Sequence, residues 1–255
     1  MGDYYAFKNL DIRDRFRNFI EEQKLYLPHG YPALNHRCLQ LFRHVEGLED
    51  KTMLEIGGGE GLFSLWGLAN GLQSVTVLEP EMDGSTQGVG GHLKKHSRLL
   101  NLSQSDLEFL PLTFQAYRGK AESFDLILSY SSINHLEESA CAQLDRSNDA
   151  KTTYLAIFVK VYDLLRSGGH FVISDAGRFN LWSVLGIKSP FAPTIEWQKH
   201  QEPLVWKNLL REAGFEFVAL DWHRFYPLRR LGFLFANRIF AMATTSKFIL
   251  TVRKT

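Results

Sequence analysis

The chain has 255 residues, 45% of them apolar and 13% aromatic. That is apolar mass for one large domain or two small ones, and it excludes a disordered chain. The 29 basic and 28 acidic residues leave a net charge of +1, without the basic excess of a duplex-binding protein, and two cysteines build neither a disulfide framework nor a four-thiolate zinc site.

Met1-Gly2-Asp3-Tyr4-Tyr5 lacks a basic start followed by an apolar run, so no secretory leader is expected and the cytoplasm is the expected compartment. Residues 10–25 carry Ile12, Phe16, Phe19 and Ile20 at the spacing of a helix face. A turn at Pro28-His29-Gly30 and Pro32 follows, then a second helical stretch with Leu34, Leu39, Leu41, Phe42 and Val45. Residues 1–50 are therefore expected to form a helical extension on a domain spanning 51–255. The aromatic residues Tyr4, Tyr5, Tyr26 and Tyr31 either close over a ligand or pack in the ordinary way.

From Lys51 short apolar runs bounded by glycine alternate with longer amphipathic segments, the pattern of a parallel sheet with crossover helices. Strands are expected at Thr52–Ile56, Val75–Leu78, Phe124–Ser129, His170–Ser174, Phe215–Leu220 and Phe248–Val252. Another must lie between Asn101 and Tyr117, either at Leu112–Tyr117 or earlier. Two helices stand out. One carries Tyr154, Ile157, Phe158, Val161, Leu164 and Leu165 and stops at Gly168-Gly169; the other carries Val205, Trp206, Leu209, Leu210 and Ala213 and stops at Gly214. The expected architecture is an α/β fold, a doubly wound, mostly parallel seven-stranded sheet, with room for an antiparallel final pair. The longest apolar stretch, Leu231–Ala243, contains Asn237 and Arg238 and falls short of the roughly 20 residues a membrane span needs.

The strongest motif is Glu55-Ile56-Gly57-Gly58-Gly59-Glu60-Gly61, set between an expected strand and an expected helix. Gly57, Gly59 and Gly61 let the backbone turn tightly and approach a ligand without a Cβ in the way. A dinucleotide site wants a third small residue at position 62, which is Leu62. The acid at Glu55 suits an ammonium group and would repel a pyrophosphate. Glu79, 18 residues past Gly61 at the end of the second strand, is placed to accept both hydrogen bonds of a ribose diol. A ligand with a cationic tail and a ribose follows; a reductase using NAD is the competing reading, opposed by Leu62 and Glu55.

These residues, with Ser123–Ser129, Ser132-Ile133-Asn134-His135-Leu136, Leu164–Asp175 and Leu209–Phe215, make the sequence from about Lys51 onward resemble the class I S-adenosylmethionine-dependent methyltransferases. The resemblance implies a Rossmann-like fold and methyl transfer from S-adenosylmethionine. It sets Glu55 and the glycines near the methionine end and Glu79 on the ribose, with Ser129 also on the cofactor side. It also implies an acid against the adenine after the third strand, with Asp106 or a residue near Tyr117 as candidates.

Methyl transfer is an in-line displacement, so a base is needed only where the acceptor loses a proton. His135 and Asp175, after the fourth and fifth strands, and His200 are the candidate bases. Arg178 is a candidate anion clamp. The proline-rich stretch 188–203 gathers Glu196, Trp197, His200 and Gln201 as an acceptor loop, within an insertion at about 176–203. The expected acceptor is a small molecule or saccharide, methylated at oxygen; a small amine and a non-catalytic binding module are the alternatives. No nucleic acid is expected as a partner, since the fourth strand ends Ser129-Tyr130-Ser131-Ser132 without the Asn/Asp-Pro-Pro-Tyr type of tetrapeptide, and no membrane insertion or metal is expected. His92 and His96 sit one turn apart on an expected solvated helix face. The glycine-rich run 84–91 reads as a mobile loop, and the cation-aromatic segment 224–235 as a surface helix or a membrane-facing one.

Overall fold

A computed structural model describes residues 2–25, 28–81, 88–103 and 105–255; of residues 2–11, 232 and 233 it describes the backbone. Tyr26 and residues 84–87 lie outside the described residues, as do the side chains of Tyr4 and Tyr5. Seven strands form a mixed sheet in the order β3-β2-β1-β4-β5-β7-β6. The chain divides into two compact units, Met1–Arg118 with Phe124–Leu128, and Gly119–Ser123 with Ser129–Thr255.

The first unit begins with α1 (Gly2–Glu22) and α2 (Gly30–Leu41). Glu21 of α1 accepts a hydrogen bond from the Tyr31 amide and so caps α2 at 3.1 Å, where His29 supplies no side-chain cap. Tyr31 packs edge-on against Phe16, which gives it a core role. Strands β1 (Thr52–Ile56), β2 (Ser74–Leu78) and β3 (Leu107–Leu110) pair in parallel. Their near-continuous apolar runs suit a sheet covered on both faces. The third strand is thus the earlier of the two alternatives, four residues only. Asp125, near the start of β4 (Phe124–Tyr130), accepts hydrogen bonds from the amide and hydroxyl of Thr52.

Between these strands run α3 (Leu62–Ala69) and α4 (Val89–Leu99). The second corrects two expectations. Gly90 and Gly91 belong to the first turn of α4, and a Cβ at Gly90 would lie 2.7 Å from the Phe109 ring, so the glycine admits β3's aromatic side chain. His96 is 7% exposed and sits edge-on to Phe19 of α1 at 4.7 Å, so this helix face is packed at His96. Burial pushes its imidazole down to about 4, with His92 and Lys95 adding to the shift. No group of three or more metal-binding side chains occurs among the described residues.

The second unit holds α5 (Glu138–Cys141), α6 (Asn148–Leu164) and β5 (Leu165–Ala176). Ser147 caps α6 by accepting from the Ala150 amide, and Tyr154, Ile157, Phe158, Val161 and Leu164 form its buried face as expected. Gly168-Gly169 is not the helix stop: β5 begins directly after Leu164, and both glycines hydrogen-bond with Lys254 beyond the last strand. After α7 (Leu181–Val184), the helix α8 (Pro203–Glu212) does end at its predicted glycine. There Gly214 takes φ +102°, its amide donates to Arg211 and the Phe215 amide donates to Leu210, a Schellman closure. Strand β6 (Glu216–Trp222) is followed by α9 (Gly232–Phe235), α10 (Arg238–Ala243) and β7 (Lys247–Arg253). The last strand inserts between β5 and β6, antiparallel to both.

Candidate active site

The glycine loop leaves β1 at Ile56, and the amides of Gly57 and Gly58 both donate to Leu78 O at the end of β2, at 2.8 and 3.2 Å. Gly57, Gly59 and Gly61 all take positive φ, as the alternating motif requires. At two of the loop's glycines a side chain would displace a neighbour. A Cβ at Gly61 would lie 2.2 Å from Leu93, and one at Gly58 2.2 Å from Val77. Gly59 is different: nothing lies within 4 Å of where its Cβ would be. Its amide donates to Glu79 Oε2 at 3.0 Å.

Glu79 is buried just past β2, and among the described residues its other carboxylate oxygen has no hydrogen-bond partner. An open backbone at Gly59 beside a carboxylate with an unfilled acceptor fits a ribose diol and a chain laid over the loop. The residues present therefore suit S-adenosylmethionine at this position.

Glu55 is turned inward. It is 1% exposed, and its Oε2 accepts from both the amide and the hydroxyl of Ser64 in the first turn of α3. Burial pushes its carboxyl up to about 8, against the pull of the Ser64 bonds. It holds α3 to β1 through Ser64 and is turned away from solvent, so the expectation of a carboxylate facing an ammonium group is corrected.

Asp106 is also corrected. It precedes β3, at the amino end of the strand, where its carbonyl accepts from Val75 and its carboxylate from the Ser103 amide. The parallel β2–β3 register puts Glu79 at the opposite end, so Asp106 is on the wrong edge to meet an adenine held beside Glu79. Ser129 is fully buried, with its hydroxyl paired to Ser132 at 2.8 Å, which is a packing role.

In the second unit a cavity of about 380 Å³ is lined by Asn134, His135, Asp175, Glu196, His200 and Lys247, among others. Asp175 and Ala176 close β5, the strand end at which open α/β sheets hold ligands. Asp175 is buried; its Oδ1 accepts from the Ala176 amide and faces His200 Nδ1 at 3.1 Å, while Oδ2 has no hydrogen-bond partner among the described residues. A carboxylate fixed on one imidazole nitrogen selects the tautomer that leaves Nε2 as the acceptor. Gln201 donates to Cys141 O, and the Cys141 thiol donates to Lys199 O, which pins the segment carrying His200. Burial holds that thiol protonated, pushed up to about 12.

The other candidates separate. His135 lines the same cavity but is mostly exposed and pairs with Glu138 at 2.6 Å. The bond from His135, helped by Lys199, holds the Glu138 carboxyl below the usual carboxylate range. Glu196 also lines the cavity and pairs with Lys199 at 2.8 Å. Arg178 does not line it: its guanidinium donates to the carbonyls of Ala142 and Gln198 and pairs with Asp145. Trp197 is buried and lines a second cavity of about 260 Å³ with Ser183, Ile187 and Ser189. Arg178 and Trp197 thus both lie outside the cavity that Asp175 and His200 line.

Sequence reading did not single out Asn134 and Lys247. Asn134 is buried, and its Oδ1 has no hydrogen-bond partner among the described residues. Lys247 Nζ reaches Ser131 Oγ at 3.3 Å; it opens β7 opposite Ala176, a register that no local pattern announces.

No protein-family model and no curated protein matches the sequence. Solved structures do match. One is an S-adenosylmethionine-dependent methyltransferase from Mesorhizobium loti, 15% identical, with a TM-score of 0.58 over 87% of this chain and 100% of that one. Another is the 1,6-didemethyltoxoflavin N1-methyltransferase of Burkholderia thailandensis, with S-adenosylhomocysteine bound, 18% identical, with a TM-score of 0.53 over 100% of this chain and 90% of that one. The fold is that of the S-adenosylmethionine-dependent methyltransferases. That methyltransferase fold also carries other chemistry, since the [4+2]-cyclase SpnF matches at a TM-score of 0.55 and 14% identity, over 88% of this chain and 80% of that one.

Proposed function

We propose that the protein transfers a methyl group from S-adenosylmethionine to a hydroxyl oxygen of a small-molecule or saccharide-type acceptor. The observation that carries the cofactor assignment is Glu79 bonded to the Gly59 amide beside an open backbone. When bound, S-adenosylmethionine supplies an electrophilic methyl carbon on a sulfonium. Glu79 holds the ribose hydroxyls, and the loop amides carry the remainder of the chain.

The acceptor is assigned to the cavity at the end of β5, within the insertion at about 176–203 and its neighbours. His200 Nε2 takes the hydroxyl proton as the oxygen attacks; Asp175 holds Nδ1–H and stabilises the imidazolium that results. The cavity's volume of about 380 Å³ favours a small acceptor. An amine acceptor is less well served, because Asp175 and Glu196 are each occupied by a basic partner. A reading without methyl transfer draws its support from SpnF, which shares the fold and is described by a different reaction.

Calorimetric titration with S-adenosylhomocysteine tests the cofactor half. Micromolar binding, lost in Glu79→Ala and in Gly59→Val, is expected; binding of NADH instead would overturn it. A labelled methyl donor offered with panels of hydroxylated and amine acceptors tests the rest, and transfer to amines alone would overturn the oxygen assignment.

A further inference from the structure

Two segments of the second unit contain no acidic residue. They are residues 177–195, with Arg178 and Lys188, and residues 222–246, with Arg224, Arg229, Arg230 and Arg238. In a chain with 29 basic and 28 acidic residues, this is a local excess of one sign. The same segments carry most of the exposed apolar surface. Phe179, Leu181, Val184, Leu185, Ile187 and Phe191 are exposed in the first, and Leu231, Leu234 and Ile239 in the second. Together they are nine of the fifteen exposed large apolar side chains among the described residues.

The two segments are joined in space. Trp182 Nε1 donates to Ala243 O at 2.9 Å, and Asn180 donates to Thr244 O at 2.8 Å. Rings run from one to the other, Trp182 to Phe191 to Phe225 to Phe240, with centroids 6.0–6.5 Å apart. This internal bonding makes a firm platform, while Val184 and Ile239 at 71% and 82% exposure project from it. Arg178 and Arg238 are paired with Asp145 and Glu202, but Lys188, Arg229 and Arg230 have no carboxylate partner among the described residues.

We propose that this apolar platform, whose own two segments bring cations and no acids, docks the protein onto the surface of an anionic lipid bilayer. Single exposed apolar residues are ordinary, but a contiguous patch rimmed by charge of one sign marks an interaction site. Apolar side chains entering the headgroup boundary with arginines at the phosphate level is how a protein rests on a membrane without crossing it. A second copy of the chain fits less well, because a twofold contact would set this cationic patch against itself. The proposal stands apart from the methyl-transfer reading, and its test reads lipid binding rather than turnover.

The full chain is sedimented with vesicles of phosphatidylcholine alone and of phosphatidylcholine mixed with phosphatidylserine. Binding to the mixed vesicles that weakens at high salt is expected, since exposed charges are screened there. Val184→Asp with Ile239→Asp is expected to abolish sedimentation while leaving the circular dichroism spectrum and melting temperature unchanged. Arg229→Ser with Arg230→Ser is expected to weaken binding to the anionic vesicles about 25-fold, each cation near such a surface strengthening it about fivefold. Absence of binding by the unaltered chain, equal binding to both vesicle types, or binding that survives Val184→Asp with Ile239→Asp would overturn the proposal. So would a concentration-dependent dimer that the same double substitution abolishes, which would assign the patch to self-association.

Discussion

Glu79 and His200 divide the proposed chemistry between the cofactor and the acceptor. Glu79→Gln keeps the shape and removes the charge. It is expected to weaken S-adenosylhomocysteine about 10- to 100-fold by calorimetry, the loss of a charged hydrogen-bond acceptor being about 1.5–3 kcal/mol. His200→Ala is expected to lower kcat about 10²- to 10⁴-fold in a labelled-methyl assay with cofactor affinity unchanged, as for loss of a general base. Asp175→Asn should do the same through the wrong tautomer. A comparable loss in His135→Ala would move the base to that exposed residue, which lies 2.6 Å from Glu138. These residues show what single positions reveal in a sequence. Glu79 was legible because a strand end and a fixed interval from the glycines define it. Asp106 was misread because the short β3 put it one residue before the strand rather than after it.

At the scale of elements, the turn from β1 into α3 is the most constrained. Gly61 has φ +71° and Leu93 of α4 packed where a side chain would begin. Gly61→Ala is therefore expected to destabilise the protein by on the order of 2–3 kcal/mol in urea titration, combining left-handed strain with overpacking. Gly59→Ala meets no neighbour and is strained by its φ alone, so its cost is expected to be smaller, on the order of 1 kcal/mol. A larger loss at Gly59 than at Gly61 would contradict this assignment. Long periodic helices such as α6 were legible, because an apolar face repeats over several turns. The glycines at 168–169 and 90–91 were not, since a glycine reports freedom of backbone or closeness of a neighbour, and only the neighbour tells which.

For the molecule as a whole, two buried groups tilt stability with pH in opposite directions. His96 titrates near 4 in the folded protein against an ordinary value of 6.5. Above 6.5 it is neutral folded and unfolded; as pH falls toward 4 the unfolded chain takes the proton first and stability is lost. Glu55 titrates near 8 against an ordinary 4.5. Below 4.5 it is protonated in both states; as pH rises toward 8 the unfolded chain ionises first and stability is again lost. Thermal melts across pH are expected to show His96→Phe flattening the limb between about 6.5 and 4, and Glu55→Gln flattening the one between about 4.5 and 8. Unchanged limbs in both variants would mean that neither group carries its proton as its burial dictates.

The sequence by itself determined the α/β class, six of the seven strands to within a few residues at most ends, the glycine loop and Glu79. Each of these is a local pattern: a period, a strand-to-helix junction or a fixed interval along one stretch of backbone. Only the tertiary structure decided that Glu55 faces Ser64, that Arg178 and Trp197 leave the cavity to Asn134 and Lys247, and that His200 meets Asp175. Those outcomes depend on register between strands and on where a proline-rich segment folds back. The free energy of such contacts is shared by residues far apart in the chain, so no single stretch of sequence encodes them.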